Sequence, residues 1–461
     1  MLCTCVGAKP LLQVAGDNTA TTKKSSIMKL KIAITFIFFL VYGSQADAQS
    51  PTFKDTVSAY FENVKYQTRK NIKVWQKDIY GPILLVNLFN RTAYANYPDS
   101  AGVLKKEGDI YVGTLPRNVL VANAPIYWNG RTWAMILIQF LPSEDHNRNN
   151  LITHELFHVA QQSLGFTKVN ERQNNHLDLR DGRIYLRLEL AALREAAISR
   201  NSRKRKTHFK NALLFRKKRH ELFPGSDTSE NIVELNEGLA EYTGERLSGR
   251  SRKEAYKHFA SKINSYILSP SYVRTFPYQT IPVYGYFLNK KRKYWNQNIR
   301  SQTNLTSYIS DQLNVAIKPD ALLSIKKLFP LYKGDAIVME ETKRETDRLK
   351  LVAEYKTRFF EQPTLEITFE KRQMSFDTRN LVALGDKGVV YSTLTVNDNW
   401  GTLVIEKGGG LISPTQNKIL ISAPVQINDT EITGEGWTLK LKKGYTLTKD
   451  EKTRNYKVIK S

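Results

Sequence analysis

Two short segments hold the residue types that could do chemistry. His154-Glu155-Leu156-Phe157-His158 sets two histidines four residues apart, with a glutamate beside the first. On a helix that spacing puts both imidazoles on one face, where they can grip a single Zn²⁺. Glu155 is then the natural general base for a metal-activated water. A catalytic zinc site takes three protein ligands and keeps the fourth position open. The second segment, Asn236-Glu237-Gly238-Leu239-Ala240-Glu241-Tyr242, offers a carboxylate for the third.

The elements around these segments are legible in outline. Residues 133–141, Trp-Ala-Met-Ile-Leu-Ile-Gln-Phe-Leu, read as a buried strand that stops at Pro142. Residues 143–150 read as a polar loop with Asn149 or Asn150 as helix cap. The helix bearing the histidines should then end near Leu164, since Gly165 suits the left-handed position after a helix. A second helix is expected after Ser226-Asp227-Thr228, with Glu230 closing a capping box on Asp227. Gly238 would let that helix approach another closely. Glu237 and Glu241 fall one turn apart on it, so one can ligate while the other orients a histidine.

Glu237 has a rival. Glu189 is a lone acid in the apolar helical stretch 185–190, where an unpaired carboxylate is costly. Its ordinary reading is as partner of Arg187, Arg194 or another buried cation. A third histidine at metzincin spacing would fall at position 164, which is Leu164, and Gln161 stands where that class has glycine. That class is excluded.

The paired segments resemble the gluzincin metallopeptidases, the thermolysin and aminopeptidase-type group. In many of these, His-Glu-x-x-His is followed by Asn-Glu-Gly-Phe-Ala or a close variant. The resemblance implies that His154 and His158 are zinc ligands, Glu155 the general base and Glu237 the third ligand. It also implies a peptide or protein substrate, with the sheet edge beside the zinc helix receiving it as an added strand. Gluzincins often place a tyrosine or histidine downstream as oxyanion donor. Here Tyr278 is the first choice and Tyr284 the second, in the segment 276–286. The resemblance spans residues 130–290 and departs twice. The gap from His158 to Glu237 is long, making 166–225 an inserted subdomain. The Gly-x-Met-Glu-Asn segment that binds a free amine in aminopeptidases is missing upstream of His154. His176 reads as a structural histidine.

The N-terminal region speaks to compartment. Lys29 and Lys31 precede an apolar run, 32–42, and Ala46-Asp47-Ala48 supplies a small-residue cleavage site. Residues 28–48 thus read as a secretory signal, with 1–27 an extension from an upstream start codon. The run is too short to span a bilayer. Both cysteines, Cys3 and Cys5, lie ahead of it, so the exported chain would be free of disulfides, as suits a periplasmic or secreted bacterial protein. The net charge is +25; residues 1–48 hold five Lys and two Asp, so the remainder keeps +22. Charge concentrates in 200–220, read as a solvated helical face in weak contact with an anionic envelope surface. No nucleic-acid motif accompanies it.

The fold class expected is α+β. A helix over 52–76 and a β-rich subdomain fill 49–142, including a hairpin at Asn129-Gly130. A mainly helical zincin catalytic domain occupies 143–360. An all-β antiparallel sandwich or barrel of short strands follows over 363–461. The function this supports is an exported zinc peptidase. Its competitor is a non-catalytic binding or scaffold protein on a degenerate peptidase fold, and hydrolysis of a non-peptide bond is a third reading.

Overall fold

The computed structural model describes residues 52–167, 174–315, 319–377, 381–428 and 431–461. The signal expected over 28–48 and both cysteines lie outside the described residues. The fold is α+β: one helix and a sheet come first, helices occupy the middle, and strands follow. Two compact bodies divide it, one running through Leu164 and including Arg246–Gly249, the other made of Gly165–Glu245 and Arg250–Ser461. No helix among the described residues is long and apolar enough to cross a membrane.

In the first body, helix α1 (Phe53–Lys70) precedes six strands: β1 (Ile83–Val86), β2 (Thr92–Ala95), β3 (Lys105–Glu107), β4 (Ile110–Thr114), β5 (Ala124–Trp128) and β6 (Arg131–Leu137). They form one sheet in the order β3-β4-β2-β1-β6-β5, with only β1 and β6 parallel. Alternation along β1 and β6 builds two cores. Ile83, Leu85, Ala134 and Ile136 face α1 and the next helix, while Leu84, Val86, Met135 and Leu137 face Trp128 and Trp133. Asn129 (φ 43°) and Gly130 (φ 79°) make the tight turn between β5 and β6, the left-handed pair that matches strand twist.

Helix α2 (Asp145–Ala160) carries the two histidines. It starts a full turn before the expected cap: residues 145–150 are helix, not loop. Glu144 is the cap, its carboxylate accepting from the His146 and Asn147 amides at 3.1 and 2.7 Å. Distant partners compensate the polar residues of this first turn. Arg148 donates to the Pro142 and Ser143 carbonyls and stacks over Tyr60 at 3.7 Å. Gly165 takes φ 89° just past the helix.

The second body opens with a helical hairpin, α3 (Arg180–Ile198) and α4 (Ser202–Leu222). Next come α5 (Ser226–Val233), a π-turn over Glu234–Gly238, and α6 (Leu239–Leu247). They are followed by α7 (Arg252–Tyr266), α8 (Pro277–Lys291), α9 (Leu305–Gln312), α10 (Pro319–Leu323) and α11 (Gly334–Lys356). The expected capping box at Asp227 is absent. Gly225, at φ 83°, caps α5 without a side chain, because the Glu230 carboxylate is taken by Arg219.

From Thr364 onward the chain is a sandwich of a seven-stranded and a six-stranded sheet. Leu365, Ile367, Ile419 and Ile421 of one meet Val396, Leu403, Trp437 and Leu439 of the other in one core. It is not wholly antiparallel. The closing hairpin inserts its second arm beside Thr364–Thr368, pairing Tyr456 with Leu365 in parallel.

Candidate metal centre

Helix geometry decides which side of α2 the histidines occupy. Ile152 and Leu156 pack on the sheet. His154 and His158 follow each by two residues, about 200° further round, and so point away from it. Their rings stand at 74° with centroids 4.8 Å apart, and the two Nε2 atoms are 3.1 Å from each other. Two nitrogens bound to one tetrahedral Zn²⁺ at ~2.05 Å sit about 3.3 Å apart, so the pair fits a shared ion. His158 Nδ1 is 3.0 Å from Gln161 Oε1. An amide oxygen only accepts, so Nδ1 carries the proton and Nε2 presents its lone pair. Glu155 is buried, 5% exposed.

The glutamate arm is built separately. The π-turn holds Glu237, whose carboxylate accepts from the Asn236 amide at 3.1 Å and from the Tyr278 hydroxyl. Such turns widen a helix by one residue and recur at functional sites. Two glycines make the Tyr278 contact possible. A Cβ on Gly238 would lie 2.6 Å from Ile281 Cγ1, and one on Gly285 would lie 2.5 Å from Tyr242 Cδ2. Their absence lets α8 lie against the π-turn and α6. Pro277 starts α8, where its missing N–H costs nothing. One ligand atom from each of His154, His158 and Glu237 falls within 4.8 Å of the others. Glu241, one turn on, accepts from Lys262. Burial disfavours the Lys262 ammonium, but Glu241 and Glu245 outweigh it and hold its pKa above the ordinary value.

Glu189 is placed elsewhere, in a buried lattice of charge. Its two oxygens accept from Arg216 Nε at 2.7 Å and Arg219 Nη1 at 2.8 Å. Arg216 forks onto Glu234 at 2.7 and 2.9 Å, and Arg219 onto Glu230 at 2.6 and 2.8 Å. His176 and His220 close on Glu230 at 2.7 and 3.1 Å. Arg216 and Arg219 are fully buried, so the basic stretch 200–220 is not a solvated face throughout. The expected partners Arg187 and Arg194 bind Glu340 with Glu341, and Glu195. Burial opposes ionisation of Glu230, but Arg219, with His176 and His220, holds its carboxyl well below 4.5. For Glu234 burial prevails over Arg216 and raises the carboxyl. Three carboxylates on two guanidiniums leave one to carry that cost. Tyr284 donates to Glu189 at 3.1 Å and so belongs to this lattice.

Sequence reasoning missed Gln161 as a partner of His158; its position three residues on was the available signal. It also missed Lys262 on Glu241, which nothing local announces. No protein-family model matches the chain, and neither the curated proteins nor the solved structures yield a match.

Proposed function

We propose that this chain is an exported zinc-dependent metallopeptidase of gluzincin type. The observation carrying the reading is the approach of His154, His158 and Glu237 ligand atoms to within 4.8 Å, with Glu155 beside the first ligand. A Zn²⁺ held there supplies a Lewis acid that polarises a carbonyl and acidifies water. The chain's own groups do the rest. Gln161 keeps His158 in the ligating tautomer. Glu155 accepts the proton of the attacking water as the C–O bond forms, then returns it to the amine as the C–N bond breaks. Tyr278, already at the Glu237 carboxylate, turns its hydroxyl to the developing oxyanion.

The sheet offers a way to hold an extended substrate. Strand β5 is an edge, and α2 runs alongside it. The Trp128–Arg131 pair flanks the two-residue turn, so positions 124, 126 and 128 bond inward to β6. The main-chain groups of Pro125 and Tyr127 therefore face outward. Pro125 has no N–H, so this edge offers two carbonyls and the single N–H of Tyr127. That limited set suits a short peptide segment and resists self-pairing.

Glu155→Gln tests the reading. Zinc content should stay at the wild-type level while peptide hydrolysis falls by about 10²–10⁴. Full activity in that variant contradicts the mechanism. Zinc bound without turnover of any peptide in a library favours the scaffold, and turnover of an ester or glycan alone redirects the substrate class.

A further inference from the structure

We infer that the end of the helical body where α4 and α7 begin and α8 finishes is a docking face for an anionic lipid surface. Three helix ends converge there. Helices α4 and α8 run antiparallel: Arg216 lies over Tyr284 at 5.0 Å, and Phe209 stacks on Phe287 at 3.9 Å. Continuing along both brings Lys206 to Lys291. Helix α7 joins through Tyr256, which meets Tyr286 at 6.3 Å and takes the Arg205 guanidinium at 4.9 Å. Arg252 and Lys253, in the first turn of α7, thus come to the same end.

Cations outnumber acids at this end, where Glu254 in the first turn of α7 closes a capping box on Ser251. Lys204, Lys206, Arg252, Lys253, Lys290 and Lys291 are all exposed, and none has an ion-pair partner among the described residues. Desolvation first, and then the neighbouring Lys206, hold the Lys291 ammonium below its ordinary pKa. Helix starts place some of these cations unfavourably. Lys204 and Lys206 sit near the start of α4, whose first turn has no acid, and Arg252 and Lys253 sit at the start of α7. Cations at helix N-termini oppose the helix dipole. An external anion relieves that cost.

The surroundings favour a lipid headgroup layer over nucleic acid. The aromatic rings here, Phe209, Tyr256, Tyr286 and Phe287, are buried and present no stacking face to bases. Ile198, 48% exposed at the end of α3, lies next to the patch, since Arg205 Nε donates to the Ala196 carbonyl at 3.1 Å. An exposed apolar side chain among cations suits the headgroup boundary.

Cosedimentation of the full chain with vesicles tests this. Binding to phosphatidylglycerol–phosphatidylcholine vesicles is expected at low salt, with none to phosphatidylcholine alone. The triple change Lys204→Gln, Lys206→Gln, Lys291→Gln should weaken it about a hundredfold, about fivefold per charge. The matched control, Lys105→Gln, Lys106→Gln, Lys350→Gln, should leave it intact, and so should Glu155→Gln, which separates this inference from the peptidase reading. Equal binding to neutral vesicles, an equal loss in the control, or tighter binding of a DNA oligonucleotide than of vesicles at one ionic strength overturns it.

Discussion

Glu189 and Glu237 look alike in the sequence, each an acid in an apolar helical setting, yet their surroundings differ in kind. Glu189 is sealed among two guanidiniums and a tyrosine hydroxyl, with Arg216 and Arg219 fully buried around it. Glu237 is half-buried on a π-turn, meets a hydroxyl and an amide, and has a ligand atom grouped with those of two histidines. A buried carboxylate forked by arginines is committed to the fold, because either partner left alone is a buried charge. A half-buried carboxylate that shares a ligand cluster with two histidines is placed where a cation could sit. Glu189 thus belongs to the architecture, and Glu237 stands as the proposed metal ligand.

The largest effect should come from breaking that division of labour. Glu189→Ala takes one hydrogen-bonded carboxylate from Arg216 and Arg219, which keep Glu234 and Glu230, and the two buried charged bonds lost should cost about 3–5 kcal/mol in denaturant unfolding. Glu237→Ala loses two half-exposed bonds and should change the metal-free protein by about 1–2 kcal/mol. The milder Glu189→Gln keeps hydrogen-bonding capacity, and should retain zinc where Glu237→Gln loses affinity. Similar unfolding losses for the two alanine variants would erase the distinction.

Tyr278→Phe comes next. As oxyanion donor its hydroxyl should be worth about 10²–10³ in kcat with KM little changed and zinc retained. A fall in zinc affinity with unchanged kcat would make Tyr278 an orienting group for Glu237 instead. Gly238→Ala should cost about 1–3 kcal/mol, since its Cβ would meet Ile281. It should also lower activity by moving Tyr278 off Glu237; stability lost with activity kept would separate the two helices' packing from the site.

Much of this was readable in advance where the signal is local. The His154–His158 face follows from helix pitch, the Asn129-Gly130 turn from residue chemistry, and the C-terminal strands from alternation such as Thr402-Leu403-Val404-Ile405. What stayed hidden depends on partners far along the chain. Residues 145–150 resemble a loop until Arg148 finds Tyr60 and Asn149 finds the Ser248 carbonyl at 3.3 Å. Arg216 and Arg219 resemble surface charge until Glu189, Glu230 and Glu234 surround them. The π-turn at Glu237 has no periodicity of its own.

The smallest effect expected is in pH dependence. Glu230 is held below 4.5 in the folded protein, so its pairing with Arg219 stabilises above about pH 4.5 and is lost as pH falls. Glu230→Gln should therefore flatten the decline in unfolding midpoint between about pH 6 and 3. An unchanged slope would remove Glu230 from the acid-sensitive set.

The central claim is that Glu237, not Glu189, completes the metal site with His154 and His158. Bound zinc measured on the purified wild type, Glu237→Ala and Glu189→Ala tests it most directly. The account predicts one equivalent in the wild type, loss in Glu237→Ala, and retention in whatever fraction of Glu189→Ala remains folded. Zinc retained in Glu237→Ala, or none in the wild type after reconstitution, would contradict it.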